Sequence, residues 1–151
     1  MNRSEFELHR IDPRSWKKPS GYANAVFAPP GASLLFLAGQ IAWDAEQRIV
    51  GPGDFAVQFD QALANVCAVL AEARAEPSSL VRLTIYVTDK QLYLDALKAV
   101  GASWKARIGR FYPAMSLVQV AALLEEGALV EIEATAAYPG PTALLGDTND
   151  R

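Results

Sequence analysis

A chain of 151 residues that is 51% hydrophobic is long enough to bury a core in one domain and too short for two ordinary ones. Its 14 Lys and Arg against 17 Asp and Glu leave a net charge of −3 with the basic residues scattered, which argues against nucleic acid as a partner. One cysteine, Cys67, and one histidine, His9, permit neither an internal disulfide nor a multi-His or Cys/His metal site, and no leader-like or 18-residue apolar run points to export or a membrane; a cytoplasmic protein without metal is the expectation.

After a charged lead-in punctuated by Pro13 and Pro19, residues 21–27 and 33–41 read as two strands joined by the turn Ala28-Pro29-Pro30-Gly31-Ala32, a hairpin. The run Leu34-Leu35-Phe36-Leu37-Ala38 suits a strand covered on both faces. Gly51-Pro52-Gly53 marks a loop, without the spacing of a phosphate-binding motif, and Asp54 caps a helix reaching about Ala75. Its apolar stripe is Phe55, Phe59, Leu63, Val66, Val69, Leu70 and Ala73, with Cys67 beside it as a packing residue.

Residues 80–88 alternate, with Leu83, Ile85 and Val87 on one side and Arg82, Thr84 and Tyr86 on the other. Thr88-Asp89 caps a second helix whose stripe, Leu92, Tyr93, Leu97, Val100, Trp104 and Ile108, ends near Gly109. Strands over 115–123 and 128–138 follow, turned by Glu125-Glu126-Gly127, and the segment 139–151 lacks periodicity and reads as a mobile tail. The order β-β-α-β-α-β-β makes a single α+β domain over 1–138, with two helices covering one sheet face.

The uncovered face is mixed, carrying Thr84 and Tyr86, then Leu117 and Gln119, then Glu131 and Glu133. Such a face is too apolar for water and too polar for a core, and a subunit interface with clefts fits it. Glu131 and Glu133 stand about 7 Å apart on one strand face, where partial desolvation suits a general base; pairing with Arg or Lys is the plain alternative. Arg107 and Arg110 are expected to face solvent at the end of the second helix, or else to swing toward the cleft.

Taken together, Gly21-Tyr22-Ala23-Asn24-Ala25-Val26, Ala38-Gly39-Gln40-Ile41, Gln58 to Val66, Tyr86-Val87-Thr88-Asp89, Tyr112-Pro113-Ala114 and Val130 to Ala136 resemble the RidA/YjgF family, in order and in one register from about Gly21 to Ala137. The resemblance implies a chorismate-mutase-like fold and a homotrimer whose sheets form a central barrel, with small-molecule ligands taken in clefts between subunits. It further implies cofactor-free hydrolysis of enamines or imines to a keto acid and ammonia. An older family label, endoribonuclease, finds no basic groove here.

Carried over by motif, Tyr22 lines the cleft, Gly39 supplies backbone contacts and Glu133 holds or activates water, while Leu117 joins the substrate-binding set. Two matches fail: the family's Ser-Gly-Gln serine is Ala38, and its Pro-Ala-Arg arginine is Met115. A guanidinium grips a carboxylate through two charge-assisted hydrogen bonds that a thioether cannot make. The expectation is an enzyme of altered specificity with little activity on 2-imino acids. Its rival is a binding or regulatory trimer that has lost the reaction.

Overall fold

The computed structural model describes residues 6–139. The chain builds β1 (His9–Ile11), β2 (Ala25–Phe27), β3 (Ala32–Gln40), α1 (Phe55–Glu72), β4 (Leu80–Val87), α2 (Lys90–Asp95), α3 (Leu97–Arg107), β5 (Ala114–Gln119) and β6 (Val130–Pro139). Four strands form one sheet in the order β3-β6-β4-β5, antiparallel except for the parallel β4–β5 pair, and β1 pairs with β2 in a separate antiparallel ribbon.

Helix α1 starts as its sequence demands, because the Asp54 carboxylate accepts the Val57 N–H at 3.1 Å and so satisfies one of the orphan donors of the first turn. It ends three residues before Ala75, which folds back to donate its N–H to the Leu70 carbonyl at 2.8 Å; Arg74 takes the left-handed φ of 54° that this closure requires. Phe55, Phe59, Ala62, Leu63, Val66 and Leu70 are buried against the sheet, facing Leu83, Ile85 and Val87 of β4 and Val130, Ile132, Ala134 and Ala136 of β6. The 3.6-residue period of the helix and the two-residue period of the strands thus converge on one core.

One buried position breaks the apolar rule. Gln58 is fully buried on α1, where its Nε2 donates to the carbonyls of Gly51 (3.2 Å) and Gly127 (2.9 Å) and its Oε1 accepts the Leu129 N–H at 2.8 Å. A single amide therefore ties the loop before α1 and the turn before β6 to the helix, and satisfies groups that burial would leave unpaired.

Several expectations are corrected. The hairpin of residues 21–41 does not form: β2 pairs with β1, a three-residue strand too short to show alternation, and β3 pairs with β6 about a hundred residues away. The second helix divides at Ala96, where φ −93° and ψ 4° leave one N–H shared between the Leu92 and Tyr93 carbonyls at 3.2 Å each. The division lets Tyr93 meet the Phe55 ring edge-on, with centroids 6.2 Å apart, while α3 lays Val100 and Trp104 on the core. Within one chain the core covers one side of β3, and Leu34 and Phe36 on its other side are 54% and 74% exposed. β6 begins at Val130 and extends to Pro139, which pairs with Ala32; the rest of the expected tail lies outside the described residues.

Candidate functional site

Register decides which of the candidate residues can meet. Leu83 pairs with both Ala134 and Met115, and Ile85 with both Ile132 and Leu117, so Met115 and Leu117 stand on the helix-covered side and pack partly buried against the core. The expected place of Leu117 and Gln119 on the open face is therefore corrected: Gln119 Oε1 accepts the Lys90 N–H at the start of α2, on the helix side, at 2.9 Å. Thr84 pairs with Glu133 and Tyr86 with Glu131, which puts both glutamates on the open face, opposite Met115.

The two glutamates have different neighbours. Glu133 accepts the Tyr86 hydroxyl at 2.9 Å, and that hydrogen bond, followed by burial and the nearby negative charge, holds the Tyr86 phenol above its usual pKa. A cavity of about 210 Å³ on the open face is lined by Glu133, Thr84, Arg82, Phe36, Leu37, Ala134 and Thr135. Glu131 instead lies over Gly39. A Cβ at position 39 would collide with Glu131 Oε1 and stand 2.7 Å from its Cδ, so the carboxylate occupies space that only glycine leaves open. This close approach is set by a bulge in β3, where the register shifts between Leu37 and Gln40 and Gln40 Nε2 folds back onto the Ala38 carbonyl at 3.0 Å.

A second cavity, of about 260 Å³, opens at this bulge and is lined by Gly39, Gln40, Ile41, Trp43, Leu124, Glu125 and Glu131. Its outer wall is fixed from α1. Asn65 Nδ2 donates to the carbonyls of Ile41 and Trp43 at 2.9 Å each, and Gln61 Nε2 reaches Trp43 O at 3.1 Å and Asn65 Oδ1 at 2.9 Å. The motif residues 58–66 that carry the resemblance thus brace the wall of this cavity. A larger cavity of about 450 Å³ holds none of the candidate residues and runs from Phe6 to Pro139, the limits of the described chain.

Tyr22 and Met115 belong to the other end of the sheet. Ala23 forms a parallel bridge with Ala114 and donates its N–H to the Pro113 carbonyl at 2.9 Å, which seats Tyr22 beside the start of β5. Arg10 donates to Tyr22 O at 2.9 Å, and Asp12 Oδ1 accepts both the Asn24 N–H and its side-chain amide, bonds that hold the Asp12 carboxyl below its usual pKa. Tyr112 stacks on Trp104 at 5.8 Å, and Trp104 Nε1 donates to Phe111 O at 3.0 Å. The Tyr112-Pro113-Ala114 motif is therefore a scaffold that fixes the β5 edge.

Arg107 does not reach either cavity. It grips Asp60 of α1 with Nε on Oδ1 at 2.8 Å and Nη2 on Oδ2 at 2.6 Å, and Ser103 Oγ adds 2.6 Å to Oδ1. The Arg107 hydrogen bonds, against an opposing burial effect and helped by Ser103, hold the Asp60 carboxyl below the usual range. A depressed folded-state pKa contributes stability above the unfolded value of about 3.9, and that stability is lost as pH falls through the folded value. Asp60→Asn is accordingly expected to melt lower than wild type at neutral pH yet to lose less Tm between about pH 5 and pH 3, measured by thermal denaturation. Burial pushes the Cys67 thiol up, which keeps it protonated and suits a packing role.

Gly39 therefore stands on the edge strand β3 with Glu131 beside it on β6, while Met115 stands on the opposite edge strand β5 with Tyr22 next to its start, and β6 and β4 separate the two edge strands. Strand spacing makes that separation about 14 Å within one chain.

The sequence model described as Endoribonuclease L-PSP matches residues 17–138. A RutC family protein of Synechocystis sp. is 36% identical over 127 residues, covering 80% of this chain and 89% of its own length. A 2-iminobutanoate/2-iminopropanoate deaminase of Capra hircus is 30% identical over 125 residues, 82% of this chain and 85% of that protein. Among solved structures, a Rid-family protein of unknown function from Yersinia pestis superposes with a TM-score of 0.75 at 37% identity, over 85% of this chain and 97% of that one. A YjgF/YER057c/UK114 family member from Mycobacterium tuberculosis gives a TM-score of 0.54 at 32% identity, over 86% and 98%.

Proposed function

The chain belongs to the RidA/YjgF family, and from that premise we propose that it is a cofactor-free hydrolase of the enamine/imine deaminase type, working in clefts between identical subunits. The observation that carries this reading is the Glu131 carboxylate lying over Gly39 at the mouth of a 260 Å³ cavity, a placement that a side chain at position 39 would prevent. A carboxylate so held can take a proton from water as the water attacks an imine carbon. Motif matching pointed to Glu133 for this task; the geometry favours Glu131, with Glu133 held by Tyr86 farther along the same face.

The subunit arrangement follows from the sheet. Residues at opposite edges enter one cleft only if the β3 edge of one copy approaches the β5 edge of another. Leu34, Phe36 and Val118, 54%, 74% and 42% exposed, give the open face the apolar character of a surface that another copy covers. A homotrimer satisfies both demands, and a monomer by light scattering would overturn the shared-cleft reading. The scattered basic residues and net charge of −3 support a small molecule over RNA as substrate.

Met115 and Ala38 alter specificity. Without a guanidinium, the cleft loses a partner for a substrate carboxylate, a change worth roughly 2 to 5 kcal/mol, or tens to thousands in binding. Wild-type protein is expected to hydrolyse 2-iminobutanoate poorly when that imine is generated in situ, and Met115→Arg is expected to raise the rate at least about tenfold. Rapid release of 2-ketobutyrate by the wild type would sink the specificity reading. Absence of hydrolysis across imines with and without a carboxylate would replace the enzyme with a ligand-binding trimer.

A further inference from the structure

The charge of the ligand can be read from the walls of the cavity at Gly39. Glu125 and Glu131 are its charged lining groups, and among the described residues no Lys or Arg lines it. Arg48, the cation closest in sequence to its outer wall, is committed to Asp44 at 2.8 Å and Glu46 at 3.0 Å. The β5 edge that would complete the cleft brings Met115 and Tyr22, and the cation beside Tyr22, Arg10, is held by the Tyr22 carbonyl at 2.9 Å and by Asp12 at 3.8 Å. An anionic substrate would meet two like charges there with nothing to offset them.

The remaining walls describe the rest of the ligand. Trp43 gives an aromatic surface, its N–H being buried without an acceptor among the described residues, and Ile41 adds an aliphatic side. Leu124 stands at the rim fully exposed, an apolar side chain with no packing partner to explain it. Carboxylates beside an indole and aliphatic side chains select an organic cation with a hydrocarbon body.

We infer that the substrate is an imine lacking a carboxylate, bound as its iminium cation with nitrogen toward Glu131 and Glu125 and hydrocarbon against Trp43 and Leu124. This rests on the hydrolase reading above and adds the substrate class. Water attacks the iminium carbon, forming a C–O bond as Glu131 accepts the water proton. Glu131 then returns that proton to the amine of the carbinolamine, and the C–N bond breaks with its electrons leaving on nitrogen as the hydroxyl proton passes to Glu131 and on to the released ammonia. The balance is R–CH=NH2+ plus H2O giving R–CHO plus NH4+, with no oxidant, reductant or cofactor consumed.

Two imines of one carbon skeleton test the inference: butan-1-imine generated from butylamine by an amine oxidase, and 2-iminobutanoate generated from 2-aminobutanoate by an amino-acid oxidase. The full-length protein is expected to prefer the first by at least 100-fold in kcat/KM, and Glu125→Gln to raise KM for it threefold or more with kcat held. Equal rates, or preference for 2-iminobutanoate, overturn the inference and leave the hydrolase reading standing. If neither imine is hydrolysed, the hydrolase reading fails, and calorimetric titration with butylammonium and with butanoate decides the selectivity alone. Binding of butylammonium only supports a cation-selective cavity; any other outcome overturns it.

Discussion

Glu131→Gln is expected to lower imine hydrolysis by about 100- to 10,000-fold, the span that removal of a positioned general base costs. The amide keeps the shape of the carboxylate, so its place over Gly39 is preserved while the proton acceptor is lost. Glu133→Gln is expected to cost less than about tenfold, because its carboxylate meets Tyr86 and not the Gly39 cavity. Gly39→Val supplies the steric counterpart: its side chain enters the volume now held by Glu131 Oε1 and Cδ, and activity is expected to fall with the carboxylate chemically intact. Steady-state kinetics on the three variants, alongside circular dichroism to confirm folding, decides the matter. Greater loss with Glu133→Gln than with Glu131→Gln would return the catalytic role to Glu133.

The largest stability effect outside the apolar core is expected at Gln58. Gln58→Leu leaves the Leu129 N–H and the Gly127 carbonyl without the amide that now pairs with both, and takes one of two donors from the Gly51 carbonyl, which keeps the Asp54 N–H at 3.0 Å. Unpaired buried groups cost about 1 to 3 kcal/mol each, and water entering at the loop side recovers part of this, so a loss of about 3 kcal/mol is expected. For a chain of this size that corresponds to a fall in Tm of roughly 6 to 12 °C. Differential scanning calorimetry reads it directly. A loss under about 1 kcal/mol would show that the two loops find other partners, and that Gln58 is not their common anchor.

The position of Gln58 illustrates what the sequence could and could not reveal. Its place next to Phe55, Phe59 and Ala62 on a helical wheel puts a polar residue on the buried stripe, which is visible from spacing alone. That it bonds to residues 51, 127 and 129 is a long-range fact that no local pattern contains. The same division runs through the fold. α1, β4 and β6 were legible because their periods are strong and local, whereas the partners of β2 and β3 were not, since pairing depends on strands far along the chain. A plausible five-residue turn between them favoured a hairpin that register with β6 displaces.

At the candidate site, alternation alone put Glu131 and Glu133 on one face and could not separate them. The bulge at Ala38-Gly39 separates them, by turning the backbone so that glycine sits beneath Glu131. A glycine following a strand-like apolar run was the available signal, because glycine within a strand marks a bulge or a close approach. Leu117 and Met115 were harder, since their side of the sheet depends on the parallel register with Leu83 and Ile85. Arg107 looked like a solvent-facing residue at a helix end. Its bidentate bond to Asp60 is made across two helices, and nothing near it in the sequence announces that partner.

The separation of Gly39 from Met115 by two strands has a consequence for inheritance. If each cleft is assembled from unlike edges of two chains, every chain borders two clefts and gives each a different half. A lesion confined to one edge then spoils one of those clefts and spares the other, so in a cell making both altered and normal chains the deficit is graded by dosage, with neither allele fully masking the other.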